Sequence, residues 1–443
     1  MSASSIGARL DRLPLSRFHR RMLALIGAGL FLDSFEVTLM AGVLGALVQT
    51  GMSDMAMNAK FISATFAGLS VGALFAGAIG DRLGRKVSYQ FNLILFGSFS
   101  ILAAFAPDMW WLIAARFIMG IGLGAEYVIG YGFISEFAPP PLRGRCIAIV
   151  ALGSNFAVML SSLVGLIVIP TLGWRWMFVI AGVMAVFVWI LRKNMPESPR
   201  WLESVGRYDE ADLIVKKIEE ESGFADVPLD VLPEPKIEKS SVIELFQPPL
   251  VGRTLLGMFI TVIALVGTYG FITWVPSFMV KQGVNMVSSL WFTTLMSGGG
   301  VFGPIVGFWI SDRFGRKYSI ALVAAFAAIA GAIYPNVHSM AALAICGFFM
   351  VSAILLLVAL GLGTYVPELF ATKIRLRASG VTQFSGRVAT IFSPYLIVYL
   401  FAEFGIGGVV YSLSAMYLLL CIVVLIFGVE TKNRPLEQIA TAS

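Results

Sequence analysis

Charge is what this chain has least of. Of its 443 residues, 13% are Asp, Glu, Lys or Arg, while 58% are hydrophobic. Soluble globular domains carry about a quarter charged residues, so a chain this poor in charge, with mean hydropathy +0.85, is expected to be solvated by lipid. Cysteine is scarce too. Cys146, Cys346 and Cys421 all fall in or beside apolar runs and make no disulfide framework. Only two histidines occur, His19 and His338, and neither stands at a metal-ligand spacing. They cannot compose a nucleophile, base and orienting group, so neither a metal, a cofactor nor an enzyme activity is expected. Residues 1–18 hold three arginines and no apolar core, so no cleavable signal peptide is expected and the first span serves as the anchor.

Apolar runs of about 20 residues, the length that crosses a hydrocarbon core, recur from end to end. The pattern predicts an all-α membrane protein of twelve spans: 22–48, 58–80, 87–106, 110–135, 144–170, 175–192, 254–280, 287–311, 318–335, 339–366, 378–402 and 405–428. An arm at 1–21 precedes them and a tail at 429–443 follows. The charged segment 193–252 separates an N-terminal bundle (22–192) from a C-terminal one (253–428), with a surface helix expected near 207–221 and a Pro-rich linker near 228–241. With the N-terminus in the cytoplasm, 27 of the 32 Lys and Arg residues fall on that side and only Lys60, Arg175 and Lys281 on the other. Such asymmetry sets orientation, so both termini are expected in the cytoplasm. The net charge of +6 is then a topology signal facing anionic lipid, with no nucleic-acid partner.

Three motifs occur twice. Gly80-Asp81-Arg82-Leu83-Gly84-Arg85-Lys86 is matched by Ser311-Asp312-Arg313-Phe314-Gly315-Arg316-Lys317. Glu136 with Arg143 and Arg145 is matched by Glu368 with Arg375 and Arg377, and Glu197 by Glu430. All keep an offset of 231 to 233 residues, so the chain is a duplication of two pseudo-symmetric six-helix halves. In the repeated loop the glycine permits a tight turn, and the Asp and arginines can pair across to a neighbouring helix and part when helices move. Asp81, Arg85, Glu136, Arg143, Asp312, Arg316, Glu368 and Arg375 are the expected gating residues.

Five ionisable side chains fall inside spans, where each costs roughly 2.5–3.5 kcal/mol unless it finds a partner or a cavity. Asp33 and Glu36 lie three apart on one face of the first span, Arg116 and Glu126 share the fourth, and Arg387 lies in the eleventh. Some of these charges could form a static ion pair, for example Glu36 with Arg116. The five do not cancel, so one carboxylate takes a proton or one charge meets a ligand. Arg387 stays charged and its fork matches a carboxylate, although a cap on backbone carbonyls is its bland alternative. Tyr127, Tyr131, Tyr269, Trp274 and Tyr365, with Asn155, complete the expected substrate-binding set around Arg387 and Glu126; any single aromatic is better explained by packing or the interface belt, and Tyr127 and Tyr131, four apart and close to Glu126, are the strongest of them. The glycine run 298–300 is expected to permit close helix packing.

The repeated loop, Arg116 with Gly120, Gly122 and Gly124, the Pro196-Glu197-Ser198-Pro199-Arg200-Trp201 run and Pro367-Glu368 resemble the major facilitator superfamily in its sugar-porter-like branch. Asp33-x-x-Glu36, Gly124-Ala125-Glu126, Thr273-Trp274-Val275-Pro276 and Gly386-Arg387 look closest to bacterial nicotinate and aromatic-acid carriers, relatives of organic-ion carriers and synaptic-vesicle glycoproteins. The paired glutamines of sugar porters are missing from 254–280, which weakens a sugar substrate. The resemblance implies two bundles closing over a central cavity in a bacterial inner membrane. It implies proton coupling through the acid at Glu36 and the arginine at Arg116, with Asp33 beside them. It also implies that Arg387 goes with an anionic substrate. The expected activity is proton-coupled import of a small aromatic carboxylate, nicotinate or benzoate in type, by a monomer. A sugar or polyol symporter, an organic-cation carrier using Glu126, and a non-transporting receptor on the same fold are the alternatives.

Overall fold

The computed structural model describes residues 6–224, 242–337, 339–370 and 374–431. The expected linker at 228–241, His338 and the tail beyond Thr431 lie outside the described residues, as does the side chain of Asp312. Every described element is helical. A short α1 (Ile6–Asp11) precedes α2 (Arg17–Gln49), α3 (Met55–Leu83), α4 (Arg85–Ala104), α5 (Met109–Phe137), α6 (Pro140–Leu172) and α7 (Arg175–Arg192). Two surface helices follow, α8 (Pro199–Ser204) and α9 (Tyr208–Ser222). Then come α10 (Val251–Phe271), α11 (Val275–Lys281), α12 (Met286–Phe314), α13 (Arg316–Ile333), α14 (Met340–Leu357), a π-helical stretch (Val358–Tyr365), α15 (Val366–Glu368) and α16 (Arg375–Phe427).

Ten stretches among the described residues are long and apolar enough to cross a membrane. The last of them covers the two final predicted spans, which meet at a kink: α16 is two helices joined at Gly405, whose φ of 64 is non-helical. Glycine adopts such a positive φ without strain, and the chain breaks from one helix into the next there. The seventh predicted span divides instead. α10 ends at Phe271, and Pro276, which cannot donate an amide hydrogen, sits at the start of α11. The tenth loosens into the π-helical stretch over its last turns, which includes Gly361 and Gly363. Such widened turns collect at functional positions.

Contacts gather the chain into two compact units. One holds Met1–Val37, Ala67–Ala157 and Arg175–Lys236; the other holds Thr38–Phe66, Val158–Trp174 and Ile237–Ser443. α2, α3 and α6 therefore contribute to both. Within the second unit their far halves are tied by polar side chains: Asn58 Nδ2 donates to Ser277 Oγ at 3.3 Å, Ser63 Oγ to the Ile391 carbonyl at 2.7 Å, and Ser162 meets Ser297 at 2.9 Å.

Close packing repeats with the duplication. In the first unit a Cβ at Gly68 or Gly72 of α3 would strike the Phe117 or Ile121 carbonyl of α5. In the second unit a Cβ at Gly299 or Gly303 of α12 would strike the Phe348 or Ser352 carbonyl of α14. Without lipid-to-water transfer to drive helices together, backbone approach at small residues holds such pairs. Gly299 belongs to the run from which close packing was expected.

The arm folds rather than trailing. Ile6, Leu10 and Leu13 are buried against Trp201, Leu202, Ala211, Val215 and Ile218 of α8 and α9, continuous with Phe133 and Phe137 of α5. Polar clamps complete it. Arg9 and Arg12 both bond the Glu219 carboxylate, Arg9 also reaches Asp212, and Glu203 accepts the Ile6 amide. Part of the arm's basic charge is thus neutralised inside the protein.

Candidate functional site

The repeated loops are built alike in both units, and the structure explains why three distant motifs keep one offset. α3 and α4 are separated by Gly84 alone, at φ 94, and α12 and α13 by Gly315 alone, at φ 85. Neither value suits a residue with a Cβ, and the added carbon would press on Glu197 at the first turn and on Glu430 at the second. Each glutamate occupies the helix N-terminus so exposed. Glu197 accepts from the Arg85 and Lys86 amides at 3.0 and 3.1 Å and from Ser198 at 2.8 Å. Glu430 accepts from the Arg316 and Lys317 amides at 2.9 and 3.2 Å. A carboxylate there satisfies orphan N–H groups and the helix dipole together. Burial nevertheless pushes the Glu197 carboxyl above its ordinary value, against the pull of those amides.

Around the first turn Arg85 pairs with Asp81 one turn back and with Glu136 at 3.2 Å, while Trp201 Nε1 donates to the Asp81 carbonyl at 2.9 Å. Around the second, Arg316 approaches Glu368 at 3.7 Å, and Thr431 donates to the same carboxylate. Arg143 is not drawn into the first cluster. Its Nη2 lies 3.8 Å from Asp11 of the arm, a carboxylate that Arg200 takes at 2.6 Å. Arg375 opens α16 and is partly buried.

The buried charges form two closed pairs and one open position. Arg116 Nη1 meets Glu36 Oε1 at 2.6 Å, with both side chains 0% exposed. Glu126 does not face a vacant cavity: its Oε1 accepts from Arg192 Nη1 at 2.6 Å, again inside the fold. Arg192, the last residue of the sixth predicted span, counts in the sequence among the 27 cytoplasmic cations, and the structure buries it instead. The residue is 1% exposed, its Nε donates to the Leu25 carbonyl, and its guanidinium lies 3.9 Å over the Tyr89 ring. Helix α7 ends at Arg192, Lys193 follows it, and only the first of the two turns back beneath α2 and α5. The excess of acid over base inside the first unit's predicted spans, Asp33, Glu36 and Glu126 against Arg116, was the signal that could have revealed it. Asp33 stands apart: it is 5% exposed, and neither carboxylate oxygen has a hydrogen-bond partner.

The remaining candidates divide between the units. In the first, Tyr127 is 41% exposed and meets Tyr131 edge-on with ring centres 4.9 Å apart, and Asn155 is partly buried on α6. In the second, Arg387 is partly buried on α16, and its neighbour Gly386 packs directly on Thr261 and Leu265 of α10. Tyr269 packs on Phe66 at 4.4 Å. Trp274 is wholly buried and stacks on Phe278, and the Tyr365 hydroxyl both donates to and accepts from the Val429 backbone at 2.9 Å. Those two side chains act in packing here. Among the described residues no group of three His, Cys, Asp or Glu could hold a metal.

Residues 25–442 match the family model described as sugar (and other) transporter. The chain is 34% identical to the inner membrane metabolite transport protein YdjE of Escherichia coli, over 98% of each chain. It is 30% identical to the niacin transporter NiaP of Acinetobacter baylyi, over 98% of this chain and 99% of that one. The 4-hydroxybenzoate transporter PcaK of the same organism is 27% identical, with 88% and 86% covered. Among solved structures, the xylose transporter XylE of E. coli in a partially occluded inward-open conformation superposes with TM-score 0.74, covering 95% of this chain and 100% of that one, at 19% identity. The long apolar helices, the duplicated loops and these full-length matches agree: the chain is an integral membrane protein of the sugar (and other) transporter family, within the major facilitator superfamily.

Proposed function

We propose that the chain imports a small aromatic carboxylate, nicotinate or benzoate in type, together with protons by alternating access across a bacterial inner membrane, with both termini in the cytoplasm. The substrate reading is carried by full-length similarity to a niacin transporter, supported by Arg387 at a partly buried position of a spanning helix. Arg387 receives the carboxylate through its bidentate fork, a geometry that offsets the cost of desolvating both charges. Coupling is assigned to the buried charges of the first unit, Asp33, Glu36 and Arg116, since a carboxylate in this setting can change its proton occupancy between conformations. The gating loops around Asp81, Arg85 and Glu136, and around Arg316 and Glu368, are latches made in one state and broken in another. A proton-coupled sugar or polyol carrier stands second, on the description of the family model.

The test is nicotinate and benzoate binding to purified protein, followed by Arg387→Lys and Arg387→Ala. Lysine keeps the charge but not the fork and weakens binding clearly. Alanine nearly abolishes it, since losing a buried charge-assisted pair costs roughly 2–5 kcal/mol. A folded Arg387→Ala protein with native carboxylate affinity overturns the anion reading and moves the sugar reading ahead.

A further inference from the structure

The spanning helices of the first unit bury three carboxylates and two guanidiniums. Each guanidinium is committed. Arg116 is closed on Glu36 at 2.6 Å and Arg192 on Glu126 at 2.6 Å, and Arg192 also donates to the Leu25 and Ile26 carbonyls and to the Tyr89 hydroxyl. Asp33 is left over. It is 5% exposed, and no donor reaches either of its oxygens. An ionised carboxylate so placed pays its desolvation with no return, whereas the neutral acid does not. Of the three acids, Asp33 is therefore the one on which a bound proton lowers the free energy of this conformation.

Its position on α2 supplies a partner for the other state. Gly29 lies one helical turn before Asp33 on the same face, and a Cβ there would overlap Arg192 Nη2 and Glu126 Oε1. The Arg192–Glu126 pair is thus pressed against α2 about one 5.4 Å pitch from Asp33. The charged groups that act on Asp33 are Glu126 of α5, Arg192 of α7 and Glu36 of its own helix. Tyr131 of α5 and Tyr89 of α4 complete the titratable neighbours. α6 meets this stretch through Ser154, whose hydroxyl donates to the Leu30 carbonyl, and it carries no ionisable residue between 147 and 172.

We propose that Asp33 is the proton-binding site of this carrier, and that Arg192 answers its ionisation by exchanging Glu126 for Asp33. The proposal rests on the reading of the chain as proton-coupled, and it narrows the three buried charges assigned to coupling to Asp33 alone, taking Glu36 and Arg116, the switch of the sequence expectation, out of the proton step. Binding adds one proton to the Asp33 carboxylate and leaves Arg192 on Glu126. Release returns the negative charge to Asp33, which then competes for the same guanidinium across less than two turns of α2. The Glu36–Arg116 pair stays closed throughout and acts as a brace.

Infrared difference titration of the reconstituted protein reads this without any substrate. The native protein is expected to lose one C=O band of a protonated carboxyl as the pH rises. Asp33→Asn, shown to be folded by its melting temperature, is expected to lack that band. Arg192→Lys, which weakens the competing cation, is expected to move the loss upward by about one pH unit, and Arg116→Lys to leave it in place. In proteoliposomes Asp33→Asn is expected to exchange substrate without accumulating it or moving protons. A folded Asp33→Asn protein that keeps the band overturns the proposal, and so does a shift produced by Arg116→Lys and not by Arg192→Lys. A native protein whose band titrates while substrate uptake moves no protons overturns the coupling reading instead, and leaves Asp33 as the protonated group.

Discussion

Arg116 Nη1 lies 2.6 Å from Glu36 Oε1, joining α5 to α2 with both side chains wholly removed from solvent. Their mutual attraction has to offset two desolvations, so the pair adds little net stability, but breaking it leaves an uncompensated charge. Arg116→Met is therefore expected to destabilise the purified protein by roughly 3–5 kcal/mol. The double change Glu36→Met with Arg116→Met should recover most of that loss. Melting temperatures of the two variants decide the point: a single variant as stable as the native protein means the pair braces nothing.

Glu197 carries the first repeated turn by accepting three backbone amides, while Asp81 only steadies Arg85 from an exposed position. Glu197→Gln keeps the shape but surrenders the charge-assisted bonds to two amides at a helix N-terminus. Transport should slow severalfold with substrate affinity nearly unchanged. Asp81→Asn should act in the same direction and more weakly. Affinity that falls in step with rate, measured by equilibrium binding beside initial uptake, would place these residues in the substrate site and count against the latch.

The arm depends on Glu219. Burial by itself would raise the carboxyl of Glu219, but the hydrogen bonds of Arg9 and Arg12 outweigh it and hold the group below its ordinary 4.5. A depressed acid contributes its stability above the unfolded value and loses it as the pH falls through the folded one. Residues 6–13 and 208–222 should therefore stay protected at neutral pH and lose amide protection only as the pH falls below the ordinary 4.5 of the carboxyl. Glu219→Gln should expose them already at neutral pH. Hydrogen exchange followed by mass spectrometry reads both, and protection of the arm independent of pH would refute the clamp.

The substrate's charge can be tested apart from the protein's. If Arg387 binds the carboxylate, nicotinamide should bind the native protein far more weakly than nicotinate, by tenfold or more, since a charge-assisted pair lost from a buried site costs more than 1.4 kcal/mol. Its affinity should hardly change in Arg387→Ala. Equal affinity for acid and amide, measured by calorimetry, refutes recognition through the carboxylate.

Much of this protein was determined by sequence alone, because the bilayer imposes simple rules. Length and apolarity mark each span, and the offset between Asp81 and Asp312, Glu136 and Glu368, and Glu197 and Glu430 reveals the duplication before any fold is known. The structure decided what periodicity cannot express. Helix boundaries followed backbone chemistry at Pro276 rather than hydropathy, so one predicted span divided, while the kink at Gly405 falls where the last two predicted spans meet. Partner choice among the buried charges was decided only in three dimensions. Arg192, at the end of its helix, reads as one more surface cation, and only packing against Gly29 and Tyr89 turns it inward to take Glu126. With that pair made, Asp33 becomes the acid with nothing to meet. Spacing along a helix shows which face a charge occupies, but the cost of burying it depends on what the other helices bring.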